Sequence, residues 1–361
     1  KHGIKLVLGY TVEGFKEKDN GVEVLLKDNP SLQADMVVLA IGVTPDTALA
    51  KEAGLELGIK GSIVVNDRME TSVPDIYAAG DAVQVKHYVT GDDALISLAG
   101  PANKQGRIIA DNICGGDSRY LGSQGSSVIK VFDMTAATTG INETNAKKSG
   151  LEVDTVILSP MSHAGYYPGG KVMTMKVIFE KESYRLLGAQ IIGYEGVDKR
   201  IDVLATAIHA GLKATQLKDL DLAYAPPYSS AKDPVNMAGF MIDNIAKGTL
   251  KQWHLEDMDK ISRDKSVVLL DVRTVGEFNR GHMDGFKNIP VDELRERINE
   301  IEKGKPVYLI CQSGLRSYIA SRILEGNGYE TYNFSGGFRF YDAVVNDRAL
   351  IERAYACLLY T

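Results

Sequence analysis

Apolar positions in the first part of the chain occur in short runs that predict β-strands. The run at 36–41 (MVVLAI) is apolar at successive positions, as a strand buried on both faces of an α/β sheet would be. A second apolar run at 76–79 ends at a glycine and an aspartate. A helix is expected to begin near Pro101, a favoured first-turn residue, and to end before Gly115. The other strands expected before residue 45 are 5–8 and 21–26, with a turn at 19–21.

From about residue 126 the pattern changes to that of a mostly antiparallel sheet with helices after it. Val197, Ile201, Leu204 and Ile208 are spaced four, three and four residues apart, which places them on one face of a helix. A second helix is expected at 235–245. The strands expected in this part are 128–132, 155–158, 172–179 and 186–192.

A third unit begins near Trp253, after a short hinge that starts at Lys247. Strands and helices alternate in this unit, and that order predicts a parallel, doubly wound sheet. The strands are expected at 267–272, 307–310 and 331–334, and the helices at 291–301 and 317–324.

Composition and charge narrow the classes of function. At about 150 residues per domain, the 361 residues suggest two or three domains. A formal net charge of −6 argues against the usual basic nucleic-acid-binding surface. No apolar run reaches the ~18 residues needed to span a bilayer, so no membrane association is expected. The chain begins with Lys1 as if in mid-domain, so we expect a fragment that lacks its N-terminal part.

The three cysteines, Cys114, Cys311 and Cys357, lie far apart in the sequence. This spacing leaves neither a CxxC redox pair nor a cysteine zinc site, and no metal site is expected. Few cysteines and the lack of a signal peptide indicate a reducing, cytoplasmic compartment. Cys114 and Cys357 are expected to be inert.

Cys311 directly follows the apolar run 307–310 and precedes a predicted helix. The carboxyl end of a central strand is where ligands bind in open α/β sheets. The loop that follows can turn backbone N–H groups inward around an anion, and the helix N terminus adds positive potential. Together with Arg316, these features favour a thiolate nucleophile over the alternative of a buried cysteine that only packs. The loop residues expected to surround the sulfur are Gln312, Ser313, Gly314 and Leu315.

Residues 253–345 resemble single-domain rhodaneses, sulfurtransferases that carry sulfane sulfur as a cysteine persulfide. Four residues separate Cys311 from Arg316, one fewer than in the phosphate cradle of cysteine phosphatases, so the loop is better suited to a sulfur atom. The resemblance implies a persulfide on Cys311, a catalytic Arg316, and an ion pair of Asp271 with Arg273 that braces the site. The segments that carry it are 270–273, 277–278, 281–282, 288–290, 311–316 and 336–337.

The segment 71–81 (TSVPDIYAAGD) resembles the second flavin-binding motif of FAD-dependent pyridine nucleotide-disulfide reductases. That resemblance implies that Asp81 holds the ribityl chain, supported by Gly80 and Ala82. It also implies that the helix containing Pro101 directs its N terminus at the flavin. The two glycine-rich dinucleotide fingerprints and the redox-active cysteine of this family are absent from the sequence.

The middle unit resembles the dimerisation domain of the same reductases and implies a homodimer. The segment 224–229 (YAPPYS) has no histidine where dithiol members carry a His-Pro pair, which favours the single-cysteine branch. Coenzyme A (CoA) disulfide reductases of that branch place two tyrosines from the partner subunit at the reactive cysteine. Tyr224 matches one of them, and Tyr166, with Tyr167 as the alternative, matches the other. A role in interface packing alone remains open for both.

The sequence therefore predicts an α/β chain: a partial NAD(P)H/FAD two-dinucleotide-binding fold, an α+β dimerisation domain and a small doubly wound rhodanese domain. The resemblances imply an FAD-dependent NAD(P)H:disulfide or persulfide oxidoreductase that acts on CoA compounds and other small thiols and disulfides. An NADH oxidase or peroxidase, or a rhodanese unit that only binds, are the alternatives. The expected boundaries are 1–44 (NAD(P)H), 45–120 (FAD), 121–246 (dimerisation), 247–253 (linker), 254–345 (rhodanese) and 346–361 (tail).

Overall fold

The computed structural model describes residues 3–359, and side chains for residues 3–349. The described residues form two compact units. Residues 3–44 and 342–359 make up the first, and Pro45–Tyr341 the second.

The first unit contains a three-stranded antiparallel sheet. Its strands are β1 (Val12–Lys18), β2 (Gly21–Leu26) and β3 (Asn29–Ala34), in the order β1-β2-β3. Lys18 pairs with Gly21, so a two-residue turn joins the first two strands. The predicted turn and the predicted strand at 21–26 are confirmed.

The strands expected at 5–8 and 36–41 are wrong. Neither segment is a strand, and the side chains of 36–41 are largely solvent-exposed, to 91% at Ile41. A strand is stabilised by ladder hydrogen bonds to a neighbour, and neither segment pairs with another strand within residues 3–359. Local apolarity alone therefore did not determine their conformation.

The second unit begins with a small sheet and a long helix. Met69, Val83 and Val85 form its buried apolar cluster. The run expected to be a strand at 76–79 makes only one isolated bridge, from Tyr77 to Glu70. The expected helix is confirmed, with Pro101 in its first turn. The elements are α1 (Ala48–Glu52), β4 (Ile63–Val64), β5 (Val83–Lys86), β6 (Asp93–Ala94) and α2 (Ala99–Ile113).

The middle of the second unit is a five-stranded antiparallel sheet in the order β7-β8-β11-β10-β9. The four predicted strands and both predicted helices are confirmed, whereas β8 and α3 were not predicted. The apolar stripe of α4, which includes Ile201 and Leu204, is buried in the core shared with β10 and β11. The elements are β7 (Ser127–Val131), β8 (Met134–Gly140), α3 (Glu143–Lys148), β9 (Val153–Leu158), β10 (Thr174–Glu180), β11 (Leu186–Gly193), α4 (Val197–His209) and α5 (Pro234–Ala246).

The last part of the second unit is a five-stranded parallel sheet in the order β12-β16-β15-β13-β14. Along β15, Val307 and Leu309 join one buried cluster with α8, while Tyr308 and Ile310 join another with α6 and α7. Both faces are covered, so the predicted doubly wound sheet is confirmed. The elements are β12 (Gln252–Trp253), α6 (Met258–Ile261), β13 (Val268–Asp271), α7 (Val275–Arg280), β14 (Lys287–Asn288), β15 (Val307–Ile310), α8 (Leu315–Glu325) and β16 (Thr331–Phe334).

Two helices of this region differ from expectation. The helix predicted at 291–301 is wrong, because the segment forms turns and a short 3₁₀ helix at Ile298–Glu300. The helix α9 (Gly337–Leu359) runs beyond residue 345, where a tail without structure-forming motifs was expected. Within the described residues, no helix combines the length and apolarity needed to cross a bilayer.

Candidate functional site

Cys311 lies at the carboxyl end of β15, a strand with a neighbour on each side. The residue is 1% exposed. The Gly314 N–H donates to its sulfur at 3.1 Å, and the Ser317 hydroxyl lies 3.2 Å from the same atom. Both donors come from the loop and the first turn of α8, so the sulfur sits at the end of the strand and at the start of the helix. A sulfur atom at the end of a strand, with two hydrogen-bond donors nearby, can serve as a site of sulfur transfer.

The glycine pair Gly336–Gly337 packs against the cysteine loop (residues 311–316), and Gly337 makes the close contact. Its φ is +67°, and a Cβ there would lie 2.7 Å from the backbone nitrogen of Ser313. Next to this contact, the Phe338 N–H donates to the Cys311 carbonyl at 2.8 Å and the Arg339 N–H to the Gln312 carbonyl at 3.1 Å. The start of α9 therefore supports the backbone of the loop, and a side chain at position 337 would displace it.

Arg316 projects from the first turn of α8 and pairs with Glu277 on α7. Its two terminal nitrogens donate to the two carboxylate oxygens at 2.7 Å each. The hydrogen bonds from Arg316 lower the pKa of Glu277 to about 2, against the opposing effect of partial burial. The sequence placed Arg316 in the loop and included Glu277 among the segments of the resemblance, but did not indicate that Glu277 orients Arg316.

Asp271 and Arg273 form a buried ion pair behind the loop, with the closest approach at 2.6 Å. Arg273 also donates to the Gly281 carbonyl at 2.8 Å and reaches the Gln312 side-chain oxygen at 3.4 Å. Its guanidinium lies 3.8 Å from the centroid of the Phe338 ring. This pair thus connects the end of β13 with the cysteine loop and with the start of α9.

Ser317 was missed as a donor to the sulfur, because the sequence identified it only as the start of a helix. No signal in the local sequence could have found it, because its burial on the inner face of α8 arises from tertiary packing. Cys114 caps the end of α2 and is exposed. The side chain of Cys357 lies outside the described residues.

The structure brings Tyr166 and Tyr224 together. Their hydroxyl oxygens are 2.7 Å apart and share a hydrogen bond, although 58 residues separate them in the sequence. This hydrogen bond raises the pKa of Tyr224. Tyr167, the alternative candidate, instead contacts the edge of the His163 ring. The side chains of Tyr166 and Tyr224 are 76% and 45% exposed, so the pair is open to a ligand.

The flavin-type residues lie in the first part of the second unit. Gly80, Asp81 and Ala82 form a single 3₁₀ turn, and the Gly80 N–H donates to the side chain of Gln105 on α2 at 2.7 Å. The Asp81 carboxylate is exposed, and no other described residue forms a hydrogen bond or ion pair with it. The N terminus of α2, with Pro101 in its first turn, has no side-chain cap and borders a cleft of about 910 Å³. A free carboxylate and uncapped N–H groups fit the ribityl and ring ends of a flavin.

The parallel sheet that bears Cys311 and the antiparallel sheet are joined directly by hydrogen bonds. The Ile157 N–H on β9 donates to the Ser335 hydroxyl oxygen at 3.0 Å, and both residues are buried. Gln252 donates to the Thr155 carbonyl at 2.7 Å on the same strand. Ser335 immediately precedes the glycine pair, so the docking contact is adjacent in sequence to the backbone that supports Cys311.

Three family models match the chain. The pyridine nucleotide-disulphide oxidoreductase model covers residues 1–106, the dimerisation domain of the same oxidoreductases covers 126–234, and the rhodanese-like domain covers 254–343. Together they account for most of the sequence, in the order that the sequence analysis predicted.

Two relatives of the chain have names that refer to coenzyme A. The chain is 37% identical over 235 residues to the CoA-dependent NAD(P)H sulfur oxidoreductase of Pyrococcus abyssi, covering 65% of this chain and 52% of that protein. It is 36% identical over 223 residues to a coenzyme A disulfide reductase of Staphylococcus aureus, covering 61% of this chain and 50% of that protein. The chain thus spans about half the length of these relatives.

Two of the solved structures that the chain resembles cover more than nine tenths of it, and a third covers about two thirds. Reduced Bacillus anthracis CoADR-RHD is 47% identical, with a TM-score of 0.90, over 94% of this chain and 60% of that one. An NAD-dependent persulfide reductase from A. fulgidus is 41% identical, with a TM-score of 0.83, over 92% and 61%. A water-forming NADH oxidase from Lactobacillus brevis is 28% identical, with a TM-score of 0.62, over 66% and 53%. These matches confirm the predicted fold class.

Proposed function

Because the chain belongs to the pyridine nucleotide-disulphide oxidoreductases that carry a rhodanese-like domain, we propose that the whole protein is a flavin-dependent NAD(P)H:disulfide or persulfide oxidoreductase. Its substrates are CoA disulfide or CoA persulfide and related small thiols. Cys311 transfers sulfane sulfur to or from these carriers. The names of the Pyrococcus abyssi and Staphylococcus aureus relatives support CoA as the substrate class.

The placement of the Cys311 sulfur carries this proposal. In its thiolate form, the sulfur attacks the outer sulfur of a donor such as thiosulfate, an S–S bond forms on Cys311, and sulfite leaves. An acceptor thiolate or cyanide then takes that outer sulfur and the Cys311 thiolate is regenerated. The Gly314 N–H donates to the sulfur throughout the cycle. The Ser317 hydroxyl, which lies 3.2 Å from the sulfur and 3.1 Å from the Gly314 carbonyl, can turn its single hydrogen to the sulfur when that atom carries negative charge.

Arg316 and the buried Asp271–Arg273 pair have separate tasks in this scheme. Arg316 supplies positive charge at the entrance of the loop, and its two hydrogen bonds to Glu277 fix the orientation of the guanidinium. Asp271 and Arg273 hold the loop from behind through Gln312. Gln312, Ser313, Gly314 and Leu315 provide the backbone that surrounds the transferred sulfur.

The residues of the first part of the second unit fit a flavin. Asp81, within the turn Gly80–Ala82, would accept hydrogen bonds from the ribityl hydroxyls, and the N terminus of α2, beside Pro101, would hold the ring end of the flavin. Bound FAD supplies two electrons from NAD(P)H for the cleavage of the disulfide or persulfide S–S bond. The chain's own residues would hold that cofactor, and the tyrosine pair would donate the proton that the leaving thiolate needs.

Tyr166 and Tyr224 act as the proton-donating pair at the thiolate that leaves the substrate. A tyrosine hydroxyl is protonated at neutral pH, as a general acid requires, and the raised pKa of Tyr224 is consistent with that state. Tyr166 accepts or donates the shared hydrogen bond and so orients that hydroxyl. In a homodimer, the pair would serve the reactive centre of the partner subunit, which the dimerisation-domain match supports.

An NADH oxidase is the competing function, since the Lactobacillus brevis oxidase also matches. That match covers 66% of the chain, whereas the CoADR-RHD structure covers 94%. A cysteine held at a strand end by two donors has no evident use in oxygen chemistry. The geometry of Cys311 therefore favours the sulfur-transferring enzyme over the oxidase.

Incubation with thiosulfate and cyanide tests the sulfur-transfer activity in this chain. We expect thiocyanate, and a mass increase of one sulfur atom on the peptide that contains Cys311. Cys311→Ser should abolish both signals, while Cys114→Ser, which removes an exposed cysteine, should leave them unchanged. A parent protein that forms neither thiocyanate nor a persulfide would refute the transfer role and leave the unit as a binding module.

A further inference from the structure

A single buried guanidinium lies beneath the two tyrosines. Arg200 on α4 is 1% exposed, and its closest contact with the Asp233 carboxylate, just before α5, is 2.9 Å. Arg200 also donates to the Gly196 carbonyl at 3.2 Å, and Asp233 accepts from the Ser229 hydroxyl at 2.7 Å. The charge is thus paired and hydrogen-bonded, which a fully buried arginine requires.

The same guanidinium is bonded to both tyrosine-bearing loops. Its Nη2 donates to the Ser162 carbonyl at 2.9 Å, four residues before Tyr166. It also lies 3.2 Å from the Ser229 hydroxyl oxygen, five residues after Tyr224. A backbone hydrogen bond of 2.9 Å, from Ala164 to the Ser229 carbonyl, joins the two loops beside it.

The exposed ends of the loops have little packing to fix them. Tyr166 is 76% exposed and Tyr224 45%, so the 2.7 Å separation of their hydroxyls depends in large part on where the loops are anchored. Arg200 supplies that anchor, because its planar group presents several donors in a fixed arrangement. A lysine ammonium could pair with Asp233, but could not reach the same set of acceptors at once.

We propose that Arg200 is a positioning residue for the tyrosine pair: it sets the distance between the Tyr166 and Tyr224 hydroxyls by holding both loops. This inference rests on the proton-donating role proposed for the pair. Arg200 touches neither hydroxyl and acts through the loops alone. For this role, the planar arrangement of the Arg200 donors therefore matters more than the positive charge.

Titration of Tyr224 in this chain tests the proposal directly. Tyrosine labelled with ¹³C at Cζ gives one resonance for each of the 17 tyrosines, and Tyr224→Phe identifies the resonance of interest. In the parent protein, the hydrogen bond to Tyr166 should shift the titration of Tyr224 upward. In Arg200→Lys, which keeps the positive charge, we expect that upward shift to be lost.

Two further variants separate positioning from charge and from folding. Lys199→Gln removes a positive charge from the neighbouring position of α4 and should leave the titration of Tyr224 as in the parent. Ser229→Ala removes one contact of Arg200 with the Tyr224 loop and should reduce the upward shift, so it decides the question if Arg200→Lys does not fold. An unchanged titration in the folded Arg200→Lys or, failing that, in Ser229→Ala would overturn the proposal, as would an equal loss of the shift in Lys199→Gln.

Turnover of CoA disulfide by the flavin-loaded whole protein, which also contains the redox-active cysteine of the reductase, gives a second readout. If Arg200 acts through the pair, Arg200→Lys should slow the Tyr224→Phe variant no further, because the effects of groups that act together are not additive. A titration that changes in Arg200→Lys, together with unchanged turnover in Tyr224→Phe, would support the positioning and refute the proton-donating role. An unchanged titration in Arg200→Lys, together with slowed turnover in Tyr224→Phe, would refute the positioning and support the proton-donating role.

Discussion

The Arg316 guanidinium and the Glu277 carboxylate lie side by side, with two hydrogen bonds of 2.7 Å between them. They come from the first turn of α8 and from α7, on either side of the cysteine loop. Glu277 also accepts a hydrogen bond from the Thr274 N–H at 3.0 Å, which holds the carboxylate in place. The orientation of Arg316 thus depends on a carboxylate 39 residues away in the sequence.

We expect the stability that Glu277 contributes to depend on pH. Its pKa in the folded protein, about 2, is lower than the 4.5 of an unperturbed glutamate. Ionised Glu277 therefore stabilises the folded state fully above pH 4.5, and this contribution is lost as the pH falls from 4.5 towards 2. Glu277→Gln should lower the free energy of unfolding at pH 7 by about 1–2 kcal/mol, since solvent screens the partly exposed pair.

Urea denaturation at several pH values between 7 and 3 measures this difference. The gap between the parent and Glu277→Gln should narrow below pH 4.5. Glu296→Gln, which neutralises an exposed carboxylate in the same part of the chain, serves as the control and should show no comparable gap. A gap for Glu277→Gln that stays constant down to pH 3 would contradict the assignment.

Gly337→Ala should impair sulfur transfer more than another glycine substitution with the same backbone strain. Both Gly337 (φ +67°) and Gly328 (φ +82°) adopt a conformation that disfavours a side chain. Only at Gly337 would the new Cβ collide, at 2.7 Å from the Ser313 nitrogen, whereas nothing lies within 4 Å at Gly328. We expect each variant to lose about 1–3 kcal/mol of stability, and only Gly337→Ala to lose thiocyanate formation.

The comparison is made by measuring unfolding and thiosulfate:cyanide turnover on the same two variants. Equal turnover in Gly337→Ala and Gly328→Ala would mean that the loop tolerates the added methyl group. In that case the contact of α9 with the loop would not control the position of Cys311.

Sequence motifs predicted the parts of the site that are contiguous in the chain. Cys311, the loop and Arg316 lie within six residues of one another, so strand end, turn and helix start were all readable there. Glu277 and Ser317 contact the same loop but carry no local signal, since their roles arise from tertiary packing of α7 and α8. Sequence patterns specify local conformation better than they specify partners.

The same limit explains the wrong strand at 36–41. Its apolar residues indicated a buried strand, but a strand requires a partner, and partners are set by topology. In the middle sheet the pattern succeeded, because neighbouring strands such as β10 and β11 pair along the chain. The tyrosine pair was predicted by resemblance, whereas the anchoring by Arg200 required the fold.

In the flavin-loaded whole protein, Tyr224→Phe should slow reduction of CoA disulfide by about 10²-fold, because the leaving thiolate loses its proton donor. Tyr228→Phe, on the same loop and also exposed, is the control and should change little. Since the hydrogen bond to Tyr166 raises the pKa of Tyr224, the parent activity should persist to alkaline pH and fall at a higher pH than an unperturbed tyrosine would give. Turnover of Tyr224→Phe equal to that of Tyr228→Phe would remove the tyrosine from the mechanism.

Ser335→Ala should weaken the link between the cysteine-bearing sheet and the antiparallel sheet. The variant leaves the buried Ile157 N–H without its acceptor, which costs about 1–3 kcal/mol. Ser321→Ala is the matched control: its hydroxyl is also buried, but it donates to the Tyr318 carbonyl within α8, where the helix already supplies a partner. We therefore expect the control to lose less than 1 kcal/mol in urea denaturation, about the net value of one ordinary hydrogen bond.

Because Ser335 immediately precedes the glycine pair that supports Cys311, the two sheets should unfold in one transition in the parent and control proteins and in two in Ser335→Ala. A single transition with equal losses in both variants would show that this hydrogen bond does not couple the two sheets.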